Sequence, residues 1–116
     1  PAARPDVISE ANADAIRARV VLEGANIPAT RTAEERLHAR GVLVVPDFIA
    51  NAGGVICAAV EYRGGAETDA FAAIAEKVGR NTRATLQRAA ADGTTPREAA
   101  EALATERVRR AMDYRR

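Results

Sequence analysis

A chain of 116 residues is enough for one small domain, and a hydrophobic fraction of 47% excludes a disordered polymer. Lys plus Arg is 17 against 16 for Asp plus Glu. The formal net charge of +1 gives no electrostatic case for nucleic acid or an anionic membrane as partner. Aromatics are only 3%, so the expected core is thin, built from Val, Ile, Leu and Ala. Cys57 is the only cysteine, which excludes an internal disulfide and a CxxC metal site and fits a reduced, cytoplasmic setting. No signal peptide is visible, and no apolar run approaches the ~20 residues of a membrane span. The chain opens on Pro1 without Met, which reads as a fragment or an excised domain.

Residues 1–8 read as a loop, and Ser9 as the cap of a short helix over 10–17 with Glu10 in its first turn. Val20, Val21 and Leu22 form a brief continuous apolar run, as in a strand buried on both faces. A loop with Pro28 follows. Thr30 or Thr32 starts a helix that ends near Arg40, with Ala33, Leu37 and Arg36 packing and Gly41 as its stop. Val42 to Val45 is the second strand, closed by Pro46. Asp47 is the expected N-cap of a helix to Arg63, with Ile49, Gly53, Ile56 and Val60 on one face. Gly53 and Gly54 are costly inside such a helix, about 1 kcal/mol each against Ala, which points to close approach by a ligand or another element.

Gly64 and Gly65 make a hinge-like break. Thr68 or Asp69 caps a long helix over 69–92, in which Phe71, Ile74, Ala75, Val78, Thr82 and Leu86 repeat at helical spacing. Asp92 and Gly93 end it. Thr95, Pro96 and Glu98 open a last helix with the stripe Ala99, Ala100, Leu103, Val108, Ala111 and Met112. Two strands joined through a helix form one right-handed βαβ unit. Two strands alone leave most sheet edges unpaired, so further strands are expected upstream or from a partner.

Two stretches carry the chemistry. Glu23-Gly24-Ala25-Asn26, with Pro28 and Thr30, follows the first strand. Pro46 to Val55, with Asn51 before Gly53-Gly54, follows the second. Ligands of open parallel sheets bind at the carboxyl ends of strands, so both Asn side chains fall where one ligand could meet them. The Asn26 amide can donate to and accept from a sugar hydroxyl or a carboxamide. An Asn that only closes its own loop has the same spacing. Asn51 is placed in the first turn of the third helix, where backbone N–H groups are unpaired; tight helix packing also favours its small neighbours. Glu23 reads as a structural carboxylate before a base, His38 as solvated, and Cys57 as a small buried hydrophobe with no base nearby. Glu61 and Arg63 are expected to face solvent or an interface, and Arg80, Arg83 and Arg88 to form a wet helix face. There is no G-x-G-x-x-G, Walker motif, metal-ligand cluster or nucleophile triad.

These stretches resemble the glutamate/leucine/phenylalanine/valine dehydrogenase family. Pro1-Ala2-Ala3 resembles its P-A-A segment, and Glu23 to Thr30 its E-G-A-N-x-P-x-T. Arg40 to Val55 resembles R-G-[IV]-x-[VY]-x-P-D-x-x-x-N-A-G-G-V, and Arg97 to Met112 the closing helix of the glutamate enzymes. The resemblance implies an α/β fold: the second half of a Rossmann-type nucleotide-binding domain with few parallel strands over 1–65, then C-terminal helices over 66–116. It implies oxidative deamination of an amino acid with NAD or NADP, in a subunit that forms a homo-oligomer. Asn26, Asn51 and the backbone at Ala2 are implied to bind the cofactor, and Asn51 and Ala58 the substrate. The family's catalytic Lys and Asp belong to an upstream domain, so the chain alone is expected to be inactive and no catalytic residue is placed within it. Many glutamate enzymes carry a Ser seven residues beyond the motif Asn; here Ala58 stands there, as in leucine-type enzymes. Arg97 and its helix match the glutamate enzymes, so glutamate is the favoured substrate. The alternatives are leucine, valine or phenylalanine, or a non-catalytic interaction or sensing module.

Overall fold

The computed structural model describes Pro1 and residues 3–114. The helix expected over 10–17 is only a 3-10 turn at Ala13–Ala15. Polar side chains satisfy the backbone locally there and leave no reason for a helix to propagate. Asn12 Nδ2 donates to the Val7 carbonyl at 2.8 Å, and Asn12 Oδ1 accepts from the Ser9 N–H at 2.9 Å. The opening segment is also more than a loop. Ile8 forms an isolated parallel bridge with Ala29, and the Asp6 N–H donates to the Ile27 carbonyl at 2.9 Å.

Strand β1 is Val20–Leu22, helix α1 is Arg31–Ala39 and strand β2 is Leu43–Val45. The strands pair in parallel with Val21 opposite Val44. Thr30 caps α1 by accepting from the Ala33 N–H, and Gly41, at φ +78°, turns the chain out of the helix. Ala33 and Leu37 pack against the sheet, and their core cluster holds Ile8, Ala13, Val21, Ala29, Val42 and Val44. Arg36, expected to pack, is exposed and donates to the Glu10 carbonyl; Glu34 is buried instead. The core is as thin as the composition requires. β1, however, is buried on one face only. Val20 and Leu22 are 49% and 60% exposed, because α5 covers β2 and no described element covers the second face of β1.

The helix expected from Asp47 to Arg63 is two helices, α2 (Asp47–Ala50) and α3 (Gly53–Tyr62). Pro46 is the N-cap, so Asp47 is the first helical residue and its carboxylate is free to bind elsewhere. Asn51 closes α2 rather than opening a longer helix. Gly53 and Gly54 begin α3, so the cost of mid-helix glycine does not arise. Asn and Gly are weak helix formers, and a break here is cheap. The turn after α3 needs its glycines: Gly64 sits at φ +78°, and a Cβ on Gly65 would come 2.5 Å from Val60 Cγ1.

Helix α4 (Glu67–Asp92) starts with the Ala66 N–H bonded to the Asp69 carboxylate. It lies between α3 and α5 (Pro96–Asp113). Its fully buried residues are the small ones, Ala70, Thr85 and Ala89, while Phe71 is 65% exposed. A helix with a neighbour on each side buries two narrow lines and not one broad stripe. α5 begins with Thr95 and Glu98 in a reciprocal capping box around Pro96, as expected. Ala99 and Ala100 are buried, but Val108, Ala111 and Met112 are exposed.

Candidate functional site

Each strand runs into a buried carboxylate. β1 leads to Glu23, fully buried, and β2 leads through Pro46 to Asp47, also buried. Glu34 on α1 is a third buried acid. Buried charges of one sign require a counter-charge, and it comes from the first turn of α5. Arg97 Nε donates to Glu34 Oε1 and Oε2 at 2.9 and 2.8 Å. Arg97 Nη2 donates to Glu23 Oε2 and Asp47 Oδ1, each at 3.0 Å. The guanidinium also lies 5.7 Å from the centre of the Phe48 ring. Glu23 is therefore structural, as its position suggested. Arg97 was noticed only through the family resemblance. The signal that could have singled it out is the pair of acids at strand ends, which need a cation from somewhere else in the chain.

Above this cluster the two asparagines meet. Asn51 Nδ2 donates to Asn26 Oδ1 at 2.7 Å, across 25 residues of sequence. Both line a cleft of about 720 Å³, together with Ala3, Arg4, Pro5, Gly24, Ala25, Gly54 and Val55. The Pro1 carbonyl accepts from the N–H groups of Gly24 and Ala25, each at 3.0 Å, which ties the opening segment to the same loop. Ala2 itself lies outside the described residues. A Cβ on Gly54 would meet nothing within 4 Å, so its lack of a side chain leaves this wall open. Arg4 is a further lining residue that sequence reasoning passed over. Ala58 is exposed on α3, two turns beyond Asn51, and is not among the residues that line the cleft.

Three carboxylates around one cation cannot all ionise cheaply. Burial first, and the neighbouring Glu34 second, push the Glu23 carboxyl up to about 8. Glu23 Oε1 is buried without a hydrogen-bond partner among the described residues, so nothing there offsets the cost of a negative charge. Burial would raise Asp47 too, but N–H groups of Ile27 and Phe48, with Arg97, hold it below the usual carboxylate range. The sign of the linkage follows from Glu23. Its folded value lies above the ordinary 4.5, so its contribution to stability is complete below that pH and is lost as pH rises through about 8. Denaturation of the protein across that range should show stability falling with pH. Glu23→Gln, which fixes the neutral form, should flatten the slope; an unchanged slope would refute the assignment.

The remaining candidates stay away from the cleft. Cys57 is half-buried, not buried. Its Sγ is 3.8 Å from Glu61 Oε1, and desolvation followed by that carboxylate pushes its thiol up, which disfavours the thiolate. His38, Glu61, Arg63, Arg80 and Arg83 are exposed, and Arg88 pairs with Asp92 and with Glu106.

A parallel βαβ unit followed by helices is an α/β architecture, in which the carboxyl ends of the strands are where open sheets place their ligands. All of the chain, residues 1–116, matches the family model described as Glutamate/Leucine/Phenylalanine/Valine dehydrogenase, and the chain belongs to that family. It is 42% identical to a glutamate dehydrogenase of Aeropyrum pernix over 99% of its own length and 30% of the relative. It is 56% identical to an NADP(+)-dependent glutamate dehydrogenase of Pyrobaculum calidifontis over 53% of the chain and 15% of that protein. Among solved structures, L-tryptophan dehydrogenase from Nostoc punctiforme superimposes with a TM-score of 0.86 at 26% identity. That match covers 95% of this chain and 33% of the other. Glutamate dehydrogenase from Peptoniphilus asaccharolyticus gives 0.86 at 28%, over 99% and 31%. The chain thus spans about a third of the length of the proteins it matches.

Proposed function

We propose that this chain is the nicotinamide-binding end of an NAD(P)-dependent amino-acid dehydrogenase. In this reading residues 1–65 complete the nucleotide-binding domain and 66–116 form the helices that follow it. The reaction is oxidative deamination of an L-amino acid, with glutamate favoured, to its 2-oxo acid and ammonia. The observation that carries the proposal is the 2.7 Å contact between Asn51 and Asn26 on the wall of the cleft. Among the described residues, no hydrogen bond engages Asn26 Nδ2 or Asn51 Oδ1. The pair therefore keeps one donor group and one acceptor, the set that a ribose hydroxyl or a carboxamide needs. Gly54 presents no side chain to this wall, and a Cβ there would meet nothing within 4 Å.

A bound nicotinamide cofactor supplies the hydride acceptor. This chain's part is orientation. Asn26 and Asn51 hold the ring and its ribose, and Asn51 also approaches the amino acid. Ala58 borders the substrate's side chain when the full subunit closes. The proton-transferring groups lie outside this segment, so the isolated chain is inactive. The parent is a cytoplasmic homo-oligomer. Among the described residues, no helix is long and apolar enough to cross a membrane, and no cluster of His, Cys, Asp and Glu could hold a metal.

The test is an amino-acid panel on the full-length protein, following NADH and NADPH formation with glutamate, leucine, valine, phenylalanine and tryptophan. Glutamate turnover is expected. The likeness to a tryptophan dehydrogenase and the apolar Ala58 support a second reading, in which an apolar amino acid is turned over instead. Activity with none of the five would overturn both readings in favour of a non-catalytic module.

A further inference from the structure

Arg97 touches neither asparagine, yet both loops hang from it. Arg97 Nη2 grips Asp47 Oδ1, while Asp47 Oδ2 accepts from the Ile27 N–H at 2.8 Å, the residue beside Asn26. The Asp47 carbonyl accepts from the Asn51 N–H at 2.7 Å. The same Nη2 grips Glu23 Oε2, which also accepts from the Asp47 N–H at 3.0 Å. One guanidinium, with the carboxylate at its centre, thus fixes the start of both Asn-bearing segments.

The backbone beside Asn26 is strained. Ile27 is β-branched and 61% exposed, and it stands at φ +51°, in the left-handed region. Such a conformation persists only where the surroundings over-determine it. Here they are the Asp47 carboxylate on the Ile27 N–H and the Asp6 N–H on the Ile27 carbonyl. Releasing Asp47 from Arg97 would loosen the first of these holds and let the Asn26 loop relax.

We propose that Arg97 is a positioning residue: through Asp47 and Glu23, helix α5 sets the separation and orientation at which Asn26 and Asn51 meet. The inference rests on the amide pair being the nicotinamide site. Lys cannot replace Arg here, because an ammonium is a point charge and lacks the planar fork that reaches Glu34, Glu23 and Asp47 at once. The groups facing the guanidinium are Glu34 from α1, Glu23 beyond β1, and Asp47 and Phe48 from α2. None of them lines the cleft, so an effect of Arg97 on turnover has to pass through the loops.

The test is a double-mutant cycle in the full-length enzyme: wild type, Arg97→Lys, Asn51→Ala and both, with kcat and KM for cofactor and amino acid measured for each. Arg97→Lys should lower kcat about tenfold in the wild-type background and less than about twofold further in the Asn51→Ala background, because coupled residues are not additive. Equal losses in both backgrounds, or full turnover in Arg97→Lys, would overturn the positioning role alone. Intact turnover in Asn51→Ala would overturn the site reading and the positioning role with it. Should Arg97→Lys fail to fold, Glu34→Gln takes its place, since it removes a carboxylate from a cluster with an excess of them. It should lower kcat about threefold, again only while Asn51 is present; an equal loss without Asn51 overturns the role.

Discussion

Asn51→Ala in the full-length enzyme is expected to lower kcat about a hundredfold while costing less than about 1 kcal/mol of stability. The asymmetry comes from what the side chain does. Its one hydrogen bond among the described residues goes to Asn26, which is exposed. The backbone N–H that closes α2 onto Asp47 survives the substitution. Ala therefore removes little that holds the fold and everything the amide would offer a ligand. Steady-state kinetics beside urea denaturation separates the two effects. A large stability loss with turnover intact in the surviving enzyme would show that Asn51 is a structural residue and that the cleft serves something else.

Removing the Arg97 charge altogether is expected to act in the opposite sense, on stability first. Arg97→Met leaves Glu23, Glu34 and Asp47 buried together with no cation. Breaking a buried pair by deleting one partner costs roughly 3–5 kcal/mol. The exposed pair Arg31–Glu101, with side chains 61% and 49% exposed, should by contrast contribute no more than about 1 kcal/mol. Without Arg97 the buried negative charge has no counter-charge, so the loss should shrink towards acid pH, where carboxylates are neutral. Denaturant melts of wild type and variant at acid and alkaline pH measure both effects. A cost below about 1 kcal/mol on the alkaline side would mean that the cluster opens to water and is not a buried charge centre.

The two experiments bear on different levels of the same design. The carboxylate cluster sits beneath the strand ends and fixes the loops. The amides sit above it and face the cleft. Removing the Arg97 charge is therefore expected to tell on stability first, and removing the Asn51 amide on turnover first.

Much of this arrangement is legible in local sequence, because local sequence carries local physics. Thr30 and Gly41 bound α1, Thr95, Pro96 and Glu98 start α5, and the short apolar runs at 20–22 and 43–45 are strands. Each depends on hydrogen bonds or backbone angles within a few residues. The motifs around Asn26 and Asn51 also placed both amides at strand ends, where the fold puts them. Three matters lay beyond that reach. The direct contact of Asn51 with Asn26 joins side chains 25 residues apart. The burial of α4 depends on having helices on both sides, which periodicity along one helix does not reveal. The partners of Arg97 lie 74, 63 and 50 residues earlier in the chain, and charge pairing across such distances leaves no period or spacing to read. Caps, turns and motif chemistry are short-range and were determined by the sequence itself; the meeting of four elements on one guanidinium is long-range, and only the tertiary structure decided it.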